Sequence, residues 1–305
     1  MNTARAGKGS KGAVAQTVAA ELRPGQSIAL LQALHILTRD GKLNQDSRRK
    51  LKQVYHLYQF IEKILVELAA STQSLTLADH GAGKSYLGFI LYDLFFKAHP
   101  SGHIYGVEAR EELVTKSQTL ALELGFERMS FIAGSVADAT DSDALPENID
   151  MVTALHACDT ATDDAIRFGL RKHAKFMVLV PCCQAEVSRA LSLDKARSLS
   201  RTPLAELWRH PIHTRELGSQ LTNVLRCLYL EAAGYQVTVT ELVGWEHSLR
   251  MNSSSPVTLG RAVSRRLHLH VFARCSLSLV SRRCSKHVSR WPKLTLHFDW
   301  HCANY

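Results

Sequence analysis

The chain of 305 residues has no apolar run of membrane-spanning length, no acidic residue before Glu21, no cysteine before Cys158 and only one acid, Asp299, from Ser253 onward. The first absence excludes a transmembrane helix, which needs about 20 consecutive apolar residues. Met1 to Lys11 is small and basic and lacks the apolar core of a secretory signal. It reads as a frayed basic N-terminus, with an organelle presequence as the alternative. Seven cysteines scattered through the second half do not form the framework of a disulfide-stapled secreted domain, so a reducing, cytoplasmic setting is expected. The missing acids explain the charge. Of the net +9, residues 253–305 contribute +8, and the rest of the chain is nearly neutral. Basicity therefore belongs to one segment and says nothing about what the body of the protein binds.

What is present is organised around Leu75 to Tyr86, Leu-Thr-Leu-Ala-Asp-His-Gly-Ala-Gly-Lys-Ser-Tyr. An alternating apolar run ends at Asp79, glycines follow at Gly81 and Gly83, and apolar periodicity resumes from Tyr86 to Phe96: strand, tight turn, helix. Such a turn lets a ligand approach the backbone while the helix N-terminus offers a weak positive pole. A Walker A loop needs glycine where Ala78 stands, and a dinucleotide fingerprint needs a third glycine where Tyr86 stands, so neither a triphosphate nor a pyrophosphate fits.

The same alternation continues. His103–Val107 reads as a second strand ending in Glu108, where one carboxylate can accept from both hydroxyls of a ribose. A helix over Glu111–Leu124, strands at Met129–Ala133, Ile149–Leu155 and Lys175–Val180, a polar segment over 185–215, a helix over Ser219–Ala233 and a sixth strand over Tyr235–Val243 follow. Upstream, Asp46 is the expected cap of a helix with apolar positions Leu51, Val54, Tyr55, Tyr58, Ile61, Ile64, Leu65 and Leu68. Its other face, with Arg48, Arg49, Lys50 and Lys52, reads either as a substrate-holding cap or as a solvated face of a helix packed on the sheet. Strands alternating with helices predict an α/β fold with a doubly wound parallel sheet and a ligand at the C-terminal strand ends.

Asp79, Gly81, Gly83, Glu108, His156-Ala157-Cys158 and Pro181-Cys182-Cys183, in register over residues 45–250, resemble the class I methyltransferases that use S-adenosyl-L-methionine (SAM). The likeness is to the branch with methyltransferase-like 25 proteins, related to a tRNA 2′-O-methyltransferase. It implies a Rossmann-like sheet, SAM as cofactor, and methyl transfer to a macromolecule (EC 2.1.1.-), with RNA as the favoured partner, protein as the alternative, and a catalytically inactive SAM-fold binding module as a further one. No cysteine-rich module like that of the tRNA enzyme precedes the domain. By the same resemblance, Asp79, Gly81, Gly83, Glu108, Ser135 and Asp138 are cofactor-binding, Asp138 being equally suited to capping its loop. His156 and Asp159 are the catalytic candidates; the structural alternatives are a hydrogen-bonded core histidine and an N-cap. His156, Cys158, Cys182 and Cys183 are zinc-ligating types without zinc-finger spacing, so no metal is expected.

The resulting organisation is a flexible basic N-terminus over 1–25, a helical cap over 26–70, the methyltransferase domain over 71–250 and an atypical basic tail over 251–305. Class I enzymes insert an antiparallel seventh strand after the sixth; here Ser253-Ser254-Ser255-Pro256 intervenes, and that strand is expected to be missing or replaced, with Leu267–Leu279 as one substitute. A shifted reading frame after Met251 would account for such a tail, since codons can be chosen for which restoring one base gives Asn-Glu-Leu-Ile-Ala-Arg-His.

Overall fold

The computed structural model describes residues 21–134, 144–155, 157, 159–181, 185–193, 206, 210–241 and 256–262. Its strands are β1 (Thr76–His80), β2 (His103–Glu108), β3 (Met129–Ala133), β4 (Met151–Leu155), β5 (Phe176–Val180), β6 (Tyr235–Glu241) and β7 (Pro256–Ala262). They form one sheet in the order β3-β2-β1-β4-β5-β7-β6. β1 to β5 are mutually parallel, and β7 runs antiparallel between β5 and β6. Among the described residues the helices are α1 (Ile28–Ala33), α2 (Gln45–Ser71), α3 (Tyr86–Leu94), α4 (Glu111–Glu123), α5 (Thr160–Arg171), α6 (Glu186–Leu193) and α7 (Pro211–Ala232).

Both faces of the sheet are covered, and the central strands show it residue by residue. Along β5, Phe176, Val178 and Val180 join one core with α1, α2 and α3, whereas Met177 and Leu179 join a second with Ile166 and Phe168 of α5 and Leu230 of α7. A strand buried on both sides must be apolar throughout, which is why Phe-Met-Val-Leu-Val has no polar alternation. At the opposite end from the glycine turn, Asp150 stitches three strands. Its Oδ2 accepts from the Thr76 backbone N–H (2.9 Å) and hydroxyl (3.0 Å), and its Oδ1 pairs with Lys175 Nζ at 2.8 Å.

Several expectations need correction. The seventh strand is not missing: Pro256–Ala262 occupies its slot, with Val178 opposite Leu259 and Val239 opposite Thr258. Pro256 opens the strand, where a residue without an N–H is tolerated, so the Ser-Ser-Ser-Pro stretch precedes the strand rather than ending the sheet. The alternative source, Leu267–Leu279, lies outside the described residues. α7 begins at Pro211, eight residues before the expected Ser219, because proline at the first helical position is a start signal. α2 is capped by Asn44, whose Oδ1 accepts from the Ser47 N–H at 2.7 Å, whereas Asp46 sits in the first turn and pairs with Arg49. Arg48 pairs with Glu21, and the apolar stripe of α2 is continuous with the core beneath it. The packed-helix reading of α2 thus accounts for its apolar face.

Candidate functional site

The turn after β1 is built as its glycines require. Gly81 and Gly83 have φ of 63° and 58°, and Ser85, at φ 50°, continues the left-handed path into α3. A Cβ on Gly81 would approach the Ala157 Cβ to 3.6 Å, and one on Gly83 would lie 3.9 Å from Arg110 Nη2 and 4.0 Å from Glu108 Oε2. The turn therefore packs against the segment after β4 on one side and the tip of β2 on the other.

Glu108 is the hub of that tip. Its Oε2 accepts from the Gly83 N–H at 2.7 Å, and its Oε1 accepts from the Arg110 N–H at 3.1 Å and from Arg110 Nε at 2.9 Å. Burial alone would raise this carboxyl, but the Arg110 side chain, the two backbone donors and the Arg110 charge together hold it below its ordinary value. Three of its roughly four acceptor sites are occupied. Gripping both hydroxyls of a ribose therefore requires one donor to yield, and Arg110, with a side chain 63% exposed, is the freest of them.

Asp79 faces the other way. Its carboxylate is buried, accepts from Thr153 Oγ1 at 2.8 Å, and lies against Gly88 of α3, whose N–H is turned toward it. A Cβ on Gly88 would come within 3.5 Å of Asp79 Oδ2 and 2.5 Å of Ser85 Oγ, so glycine is needed for this approach. Burial pushes Asp79 up to about 6 against the hydrogen bonds from Thr153 and Gly88. Asp79 thus braces β1 to β4 and to α3 beneath the turn.

His80, which the sequence reading passed over, completes the floor. It is 4% exposed, its ring lies 5.4 Å from that of Phe168, and neither ring nitrogen has a hydrogen-bond partner among the described residues. Burial lowers it to about 4, with the Glu108 charge acting weakly in the opposite direction. The only sequence signal was a histidine at the last position of the strand, directly after Asp79.

After β4, Asp159 stands at the N-cap position of α5 with φ 52°, yet its side chain makes no cap bond. Its Oδ1 accepts from the Ala185 N–H at 3.1 Å and its Oδ2 from Arg189 at 2.9 Å. Arg226 of α7, with a side chain only 6% exposed, donates to both oxygens of Asp163 at 2.7 Å and to the Asp159 carbonyl at 2.8 Å. Glu186, raised by burial and then by Asp159 and Asp163, adds a third acid to this cluster. The segment after β4 is thereby tied to the one after β5. Ser135, Asp138, His156, Cys158, Cys182 and Cys183 lie outside the described residues. Among the described residues no group of three metal-ligating side chains converges, and no helix is long and apolar enough to cross a membrane.

These features match a known family in part. A family model described as a methyltransferase domain matches residues 49–190, which span α2 through most of α6. No curated protein matches the sequence. Solved structures similar to this chain include an S-adenosylhomocysteine-bound methyltransferase of Podospora anserina, 12% identical, covering 86% of this chain and 100% of its own with a TM-score of 0.47. Others are a precorrin-6y C5,15-methyltransferase of Geobacter metallireducens (17% identity, 62% and 81% covered, TM-score 0.38) and a fibrillarin pre-rRNA processing protein of Methanococcus jannaschii (12%, 63% and 67%, TM-score 0.40). The family match supports a methyltransferase domain over residues 49–190. The side-chain-free turn at Gly81 and Gly83, with a carboxylate beside it at the tip of β2, fits an adenosine that carries no phosphate.

Proposed function

We propose that the protein transfers a methyl group from SAM to an acceptor in RNA. The observation that carries the cofactor half is the Glu108 carboxylate held beside the Gly83 N–H, which offers a ribose an acceptor and the methionine end a bare backbone. Glu108 and Gly83 take the ribose side. Gly81 and the N-terminus of α3 take the methionine carboxylate, and Asp79 acts from below by fixing the turn. Ser135 and Asp138 are assigned to the adenine side by the family resemblance alone.

SAM supplies an activated methyl group; the chain supplies placement, worth about 7–11 kcal/mol when donor and acceptor are well aligned. Where the acceptor is a hydroxyl, its proton must also pass to a base. His156 is assigned that role. Asp159, with both oxygens engaged, is assigned to holding the segment on which His156 lies. The choice of RNA rests on the resemblance carried by His156-Ala157-Cys158 and Pro181-Cys182-Cys183; a protein acceptor is the second reading.

Calorimetric titration of the folded chain with S-adenosylhomocysteine, beside ATP and NAD, tests the cofactor half. Micromolar binding of the first alone is expected, and absence of binding by a folded chain rejects the enzyme reading in favour of an inactive fold. Incubation with labelled SAM and total RNA or total protein then separates the two acceptors. His156→Ala is expected to reduce turnover more than binding.

A further inference from the structure

A cavity of about 260 Å³ opens beside the glycine turn, between the end of α1, the start of α3 and one face of α4. Its floor is apolar, with Leu34 following α1 and Leu113 on α4, and Tyr86, the first residue of α3, is half-buried at its side. Its rim carries two ammonium groups, Lys84 directly after Gly83 and Lys116 on α4, with the exposed His35, at a left-handed backbone of φ 54°, beside them. No carboxylate lines it among the described residues. Among the described residues Lys84 and Lys116 are exposed and form no salt bridge, as is true of Lys42, Lys50, Lys52 and Lys63; what sets these two apart is that they stand together beside an apolar cavity. An apolar floor flanked by an aromatic ring and ringed by unpaired ammonium groups matches a ligand that is flat and apolar at one end and anionic at the other.

We propose that this cavity is a subsite for one unpaired nucleotide of the acceptor strand, its base on the apolar floor against Tyr86 and its phosphate between Lys84 and Lys116. The proposal rests on the RNA reading above and extends it to a second contact region beside the cofactor turn. Charge complementarity favours this occupant over a protein segment: an acidic peptide would satisfy the lysines but leave the floor unmatched. Stacking on an aromatic ring is tolerant of base identity, so the subsite orients a strand without reading its sequence.

The test is the anisotropy of a short labelled single-stranded RNA of mixed sequence across a salt series, with parallel titration of S-adenosylhomocysteine. Lys116→Glu is expected to weaken RNA binding about tenfold or more and to flatten the log affinity against log salt slope by about 0.7, the signature of one lost phosphate contact on a single strand. Tyr86→Leu is expected to weaken it about fivefold or more with the slope unchanged, since it removes stacking and no charge. Lys116→Gln gives the same direction with a smaller loss, and both Lys116 variants retain cofactor affinity. RNA affinity unchanged in Lys116→Glu and Tyr86→Leu overturns the subsite and leaves the RNA reading standing. Loss of S-adenosylhomocysteine affinity in Lys116→Glu overturns it by assigning the cavity to the cofactor. A folded wild-type chain that binds S-adenosylhomocysteine but not RNA overturns the subsite and the RNA reading together.

Discussion

The two sides of the site are held by different means. On the β1–β2 side the contacts are short in sequence or made by the backbone: glycines at positive φ, an amide donating to Glu108, and Arg110 two residues from the acid it pairs with. On the β4–β5 side the ties are long side chains reaching across the chain, Arg189 to Asp159 and Arg226 to Asp163 and Asp159. Backbone geometry cannot be lost by one side-chain substitution, whereas a bridge of arginines can. The cofactor side should therefore survive damage to the acceptor side, and the reverse should hold less well because Gly81 packs on Ala157.

The sharpest way to break that contrast is Arg226→Met. Removing one partner of a buried ion pair costs about 3–5 kcal/mol, and the lower end applies because the Asp163 side chain is 39% exposed. Urea denaturation should show the loss. Affinity for S-adenosylhomocysteine should change little; an equal loss of affinity and stability would mean that the two sides form one unit.

The next effect concerns neighbours with opposite titrations. Asp79, raised from 3.8 to about 6, is favoured protonated in the folded chain, so its contribution to stability falls as pH rises from about 4 to 6. His80, lowered from 6.5 to about 4, is favoured neutral, so its contribution grows as pH rises over nearly the same window. Each shift corresponds to about 3 kcal/mol, and the two offset one another in the wild type. Asp79→Asn should expose the rising His80 limb and His80→Gln the falling Asp79 limb, both read from urea midpoints across pH 4 to 7. A flat profile in both variants would remove the burial argument for this pair.

Smaller still in free energy is Glu108→Ala. It should weaken S-adenosylhomocysteine binding about tenfold, near 1.4 kcal/mol. Its cost in stability should be about 1–2 kcal/mol, because the Glu108 side chain is 10% exposed and its loss leaves the Gly83 N–H without its acceptor. Asp79→Ala should also weaken binding, through the turn rather than by direct contact. Unchanged affinity in both variants would reject the cofactor assignment.

The same contrast explains what could be read from the sequence. Glycines in a strand-turn-helix pattern, an acid at the end of β2 and the two-sided apolar run of β5 declare themselves locally, because the backbone demands those residue types. Arg226 and Asp163 carry no local mark: each is an ordinary charged residue until α7 folds across α5. The inward orientation of Asp79 was hidden for a related reason, since it depends on Thr153 in a different strand and on the absence of a side chain at Gly88. The position of β7 is not marked locally either, because Pro256 argues against a strand unless it stands at the first strand position, which tolerates it.

The place of β7 also has a consequence for the order of assembly. β5 is made early, but its outer edge pairs with a strand that emerges from the ribosome only after α6, α7 and β6, when Leu259 arrives opposite Val178. Until then β5 presents an open, entirely apolar edge, the kind of surface that pairs with the wrong partner during synthesis. Pairing over so long a separation in sequence is intrinsically slow. The nascent chain is thus most exposed to misassembly while its cofactor turn is already complete.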